Sequence, residues 1–153
     1  MKYSIMIGTI LIALIFCGCT SSRLAIAPDV DLSAYRNVVI SKTSDANSAV
    51  MFGLEIEIGN LFPQHGYKII GDKEAELLSP AEQKSVLVVR GAMSSAPAES
   101  VCTIVLDDFS TGRTLVSARG AFGMGWNMDG DREGAMKDAM RQIEQVLKSS
   151  GNR

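Results

Sequence analysis

Residues 101–122 read VCTIVLDDFSTGRTLVSARGAF, and the rest of the chain is organised around this stretch. Residues 101–106 and 114–122 are rich in β-branched and apolar side chains, the composition that fits a half-buried pleated surface. Between them, Asp107-Asp-Phe-Ser-Thr-Gly112 supplies the acids, hydroxyls and glycine that turn a chain back on itself. An antiparallel hairpin is predicted. Asp107 and Asp108 are adjacent carboxylates, but neighbouring strand side chains point to opposite faces, so a turn role is expected rather than acid–base chemistry. Cys102 stands in the first strand with no cation or helix start beside it to depress its thiol pKa. It is expected to be buried and inert.

C-terminal to the hairpin, residues 120–130 are glycine-rich and residues 131–149 read as a helix. Ala135, Met136, Ala139, Met140, Ile143, Val146 and Leu147 fall on one face at helical period. Asp129, Asp131 and Glu133 sit at the positive N-terminal end of that helix. Asn127, Asp129, Asp131 and Glu133 alternate as in a calcium loop. The pattern lacks the glycine at the sixth position and the glutamate at the twelfth, so helix capping is the better reading and no metal is expected. Gly120-Ala-Phe-Gly-Met-Gly125 has neither dinucleotide spacing nor the lysine of a nucleotide-triphosphate loop, and flexible or bulged backbone is expected. Met124, Trp126 and Met128 give this connection an unusual apolar content. Trp and Met are favoured where partners bind, which makes these three a candidate contact patch. The competing reading folds Trp126 back onto the core.

N-terminal to the hairpin, residues 86–89 form an apolar strand extending to about Met93, and the small residues 94–98 turn the chain. Residues 67–70 are a short strand. Residues 71–83 are polar, with a helical turn over 74–78 and Pro80 as a breaker. A helix runs to about Leu61 behind an N-cap from Thr43-Ser44-Asp45, with Val50, Met51, Leu54, Ile58 and Leu61 as its apolar stripe. Pro63 opposes its continuation. His65, the single histidine, has no cysteine or serine–aspartate partner in pattern and is expected at the surface. Residues 36–41 form the first strand. The order is therefore β-α-β-β-β-β-α, which defines an α/β (α+β) class. One mixed sheet carries two main amphipathic helices on a face.

Residues 5–19, IMIGTILIALIFCGC, differ from everything after them. The run is shorter than the roughly 20 apolar residues that span a bilayer. It follows Lys2 and gives way at once to Thr20, Ser21, Ser22 and Arg23, the layout of a secretory signal. Cleavage after Gly18 leaves residues 19–153. Of the chain's 15 basic and 17 acidic residues only Lys2 is then lost, so the net charge moves from −2 to −3. No basic stripe exists for nucleic acid, and no polybasic patch for a membrane surface. Three cysteines are too few for a disulfide framework. The domain reading is 1–18 signal, 19–30 lipidated N-terminus and tether, and 31–150 a single domain.

Phe16-Cys17-Gly18-Cys19 resembles a bacterial lipobox. The resemblance implies cleavage before Cys19 and acylation of Cys19, with palmitate-type chains holding the protein to a membrane. Two or three chains anchor stably where one does not. Thr20 after the cysteine implies the periplasmic side of the outer membrane by the sorting habit of lipoproteins. An ordinary signal cut near Ser21 or Ser22, or an uncleaved anchor, is the alternative. Further along, "YRNVVIS", "LFPQHGYKII", "VLVVRGAM", "TIVLDDFSTGRTLVSARG" and "DREGAMKDAMRQIEQVL" resemble a group of small bacterial envelope proteins. These are the curli-secretion lipoprotein, the penicillin-binding-protein activator lipoproteins and the N-terminal domain of the Tol-system propeller protein. The resemblance covers residues 35–147 and implies a non-catalytic protein-interaction or assembly module of the cell envelope, without a cofactor. Its implied partners are a membrane through Cys19 and an envelope protein complex, with self-association left open. The alternatives are a small-ligand or glycan-binding module and, third, an export-pore subunit.

Overall fold

The computed structural model describes residues 22–41, 49–96, 99–123 and 128–151. A six-stranded mixed sheet runs β1-β6-β5-β4-β2-β3, with β1 at Arg23–Ile26, β2 at Asn37–Ser41, β3 at Lys68–Ile70, β4 at Val86–Ala96, β5 at Glu99–Asp108 and β6 at Thr114–Phe122. Helix α1 spans Ala49–Gln64, the short α2 and α3 span Asp72–Glu76 and Pro80–Gln83, and α4 spans Met128–Gly151. Strand β2 is parallel to β3 and β4, and the remaining pairs are antiparallel. The α/β class, the mixed sheet and the two main helices are those the sequence indicates.

Strand β2 shows how local sequence sets the architecture. A strand flanked by parallel neighbours is covered on both faces and reads as a continuous apolar run. Val38 accordingly joins the main core, whereas Val39 points through the sheet into a smaller cluster with Ile70, Ala75 and Val86. The main core lies between the sheet and the two long helices. Met51, Leu54, Ile58 and Phe62 enter it from α1, and Ala135, Ala139, Ile143, Val146 and Leu147 from α4. They meet Leu87, Val89, Cys102, Ile104, Leu106 and Ala118 from β4, β5 and β6.

The hairpin at the centre of the sequence forms as predicted. Asp108 N donates to Arg113 O at 2.9 Å, and Gly112 N donates to Asp108 O at 2.8 Å. Gly112 has φ +67°, a left-handed conformation that costs a residue without a side chain little. Gly120, expected in a loop, lies inside β6. A β-carbon there would overlap the carbonyl oxygen of Ala135 and the amide nitrogen of Ala139. Its function is to let α4 seat directly on the sheet.

Helix α4 starts at Met128 rather than at residue 131, and four further boundaries differ from the expectation. Residues 23–26, assigned to a tether, pair with residues 116–119 as an edge strand, so the folded domain begins before residue 31. Helix α1 passes through Pro63 and stops one residue later. In a last turn the missing N–H removes one bond, and the end is closed by donation from Tyr67 N to Phe62 O at 3.2 Å. Pro80 opens a helix rather than breaking one. It follows Ser79, whose side chain caps the turn while Glu82 returns the bond, and a proline at the first helical position loses nothing. Strand β4 runs on to Ala96, past the expected turn. The N-cap proposed from Thr43, Ser44 and Asp45 lies outside the described residues.

Candidate functional site

The chain re-enters the described structure at Ser22, whose hydroxyl donates to Asp138 Oδ2 on α4. Asp138 also accepts from Arg141 and from Gln142 Nε2, the latter at 3.2 Å. Burial works to raise its pKa, but these hydrogen bonds, led by Ser22, prevail and hold the carboxyl below its usual range. Gln142 Nε2 also donates to Arg119 O at 3.1 Å, so the start of β1, the end of β6 and the middle of α4 are tied together. Cys19 lies three residues before Ser22 and outside the described residues, as do Met124 and Trp126. Met128 is the first residue of α4 and 53% exposed.

Strand β1 was missed by the sequence reading. Leu24 pairs across from Ala118 and Ile26 across from Val116, which puts both side chains on the helix side of the sheet. They remain 41% and 50% exposed, with Ile26 lining a small hollow beside Val146, Ser149 and Ser150 of α4. The only signal was a single apolar alternation, Leu24 and Ile26, too short to distinguish from chance.

Between α1 and α4 runs an open trough of about 330 Å³. Leu61, Met136 and Met140 line it and pack against the core, while Glu57, Asn60 and Gln64 stand at the α1 rim. The opposite rim carries Lys137, Arg141 and Glu144, each paired along its own helix with Glu133, Asp138 and Lys148. The sequence pattern places Met136 and Met140 in the core stripe; the structure leaves them half-buried in this groove.

The remaining candidates resolve into structural roles. Asp107 is buried and accepts from Arg90 Nε and Thr114 Oγ1, both at 2.7 Å. Asp108 accepts from Tyr35 Oη at 2.7 Å, Ser110 Oγ at 2.7 Å and Thr111 N at 2.8 Å, and so organises the turn. Burial opposes its ionisation, yet these donors together hold its pKa below the ordinary value. Tyr35 is pushed the other way, by burial first and then by its bond to Asp108. Cys102 is buried, and burial raises its thiol to about 12, so it is protonated and unreactive at neutral pH. Of the calcium-like series, Asn127 lies outside the described residues, Asp129 pairs with Arg132, and Glu133 pairs with Lys137. Among the described residues no cluster of three or more His, Cys, Asp or Glu side chains is placed to hold a metal ion.

No family model matches the chain, and no curated protein matches its sequence. Solved structures similar to it include the PelC dodecamer from Paraburkholderia phytofirmans, at 20% identity and TM-score 0.47, covering 86% of this chain and 96% of that one. TolB from Acinetobacter baumannii is similar at 11% identity and TM-score 0.45, over 86% of this chain and 31% of TolB. Lipoprotein GNA1162 from Neisseria meningitidis is similar at 14% identity and TM-score 0.39, over 74% of this chain and 97% of that one. At these values the likeness concerns an α/β fold, and the functional reading rests on the chain's own residues.

Proposed function

We propose that this protein is a lipid-anchored, non-catalytic module of the bacterial cell envelope, held by acylated Cys19 on the periplasmic side of the outer membrane. The observation that carries the reading is the N-terminal succession: an apolar run, then Cys17-Gly18-Cys19, then Ser22 already bonded into the fold. A chain that passes directly from the acylation site into its domain has its body fixed against the bilayer. The trough between α1 and α4 supports a role in holding a partner protein. Methionine floors adapt to apolar side chains, and the rim cations are already paired with acids of their own helix. The amides of Asn60 and Gln64 at the same rim support the second reading, a small polar or glycan ligand.

Cys19→Ser tests the anchor. Wild-type protein is expected to incorporate labelled palmitate and sediment with outer membranes. The variant should retain its signal segment, take up no label and leave the outer-membrane fraction. Normal processing of the variant with continued outer-membrane residence would overturn the proposal.

A further inference from the structure

Strand β1 ends the sheet, and all four of its residues are exposed, including Leu24 and Ile26 side by side on one face. Natural sheets blunt such edges with charge, proline or a covering element, because an apolar edge invites association. Here the four-residue length of β1 and Arg23 blunt the edge itself, while Leu24 and Ile26 leave apolar side chains exposed beside it. The chain just before β1 bears on what lies beside these two side chains. Cys19 precedes Ser22 by three residues, a span of at most about 11 Å however it is arranged. Ser22 is fixed beside Asp138 of α4, at the head of β1. Whatever surface Cys19 is attached to must pass within that distance of β1.

We infer that the β1 edge lies on the bilayer surface, with the Leu24 and Ile26 side chains in the boundary between headgroups and acyl chains. The inference rests on acylation of Cys19. A row of two apolar residues supplements a lipid anchor in the way an interfacial apolar face does, by burial a few ångströms deep. Pairing with β6, together with the Ser22–Asp138 bond, holds the two side chains at a fixed height relative to the anchor. A second copy is a poorer occupant, because a four-residue edge falls far short of the roughly 800 Å² per partner that a stable interface needs. The orientation turns the opposite flank of the sheet, with α1, away from the membrane.

The experiment uses the full-length, acylated protein in vesicles of phosphatidylethanolamine and phosphatidylglycerol containing lipids with a shallow nitroxide. A bimane fluorophore is placed at Ile26→Cys and, in separate samples, at the hairpin tip by Thr111→Cys and at exposed Leu77→Cys. Buried Cys102 does not compete for label. Quenching at position 26 is expected to exceed that at 111 or 77 by at least about threefold. Intact mass on the same samples reports the acyl chains. Acylated, vesicle-bound protein with position 26 quenched no more than the controls overturns the orientation and leaves the anchor standing. Close approach of label 26 on two copies, without quenching by lipid, overturns it in favour of edge pairing. Absence of acyl mass overturns the anchor and the orientation with it.

Discussion

The two long helices cover the same face of the sheet but finish their outward sides in opposite ways. Helix α4 is amphipathic in the ordinary sense. Its inner face is alanine and branched aliphatics, and its outer face carries the pairs Glu133–Lys137, Asp138–Arg141 and Glu144–Lys148. Helix α1 has only Glu55 and Glu57 as charges in its sixteen residues, and leaves Phe52 64% and Ile56 48% exposed. At about 100° per residue, Phe52, Ile56 and Pro63 share one outward stripe that borders the trough only at Asn60. A helix apolar all round belongs in an interior. The comparison teaches that periodicity reports which side of a helix meets the sheet, whereas the composition of the other side reports what surrounds the molecule. On α4 that other side is charged, with acids and bases paired along the helix.

The largest expected effect breaks the seat of α4. Gly120→Val drives a branched side chain into the Ala135 carbonyl and the Ala139 amide, which are backbone atoms and cannot rotate aside. Overpacking against backbone should cost more than about 3 kcal/mol, a fall in Tm of roughly 12 °C or more in a domain of this size. A thermal scan by circular dichroism measures it. A shift of only one or two degrees would mean that α4 rides loosely on the sheet, and the contrast between a seated α4 and a half-clad α1 would lose its basis.

A smaller effect sharpens the contrast through pH. Asp138 is kept ionised by Ser22, Arg141 and Gln142 against the opposing effect of burial. Its folded pKa is depressed, so the stability it contributes is present above the unfolded carboxylate value near about 4 and is lost as pH falls through the folded value. Asp138→Asn should therefore cost about 1 kcal/mol at pH 7 and flatten the decline of Tm on acidification. An unchanged acid limb would show that the Ser22 tie does not depend on charge.

Much of this arrangement was legible in the sequence, for a reason that also marks its limits. The hairpin at residues 101–122 is set by contacts close in sequence, the run at 36–41 shows in its own unbroken apolar composition, and α4 has enough turns for its period to show. Strand β1 has four residues, and its partners in β6 lie ninety or more residues away, so nothing local announces it. Gly120 reads as flexibility in the sequence and proves to be a close approach, because only the fold brings Ala135 above it. The trough was hidden for a similar reason. Met136 and Met140 have core spacing, and their half-exposure depends on where α1 stops covering them.

The smallest expected effect concerns the outer stripe of α1, and it is the most informative for the comparison. Leu54 and Phe52 are two residues apart, but Leu54 is fully buried in the main core while Phe52 faces out. Leu54→Ala should remove about 3 kcal/mol through lost burial and an unfilled cavity. Phe52→Ser combined with Ile56→Ser should change stability by less than about 0.5 kcal/mol per site, as substitutions on open surface do. Denaturant titrations of the purified full-length protein give both values on one scale. If the serine pair costs as much as Leu54→Ala, the stripe is packed against another part of this chain, and α1 is an interior helix after all. If it costs nothing, these two large apolar side chains add nothing to the isolated fold, and α1 differs from α4 in the make-up of its outer side rather than in its core.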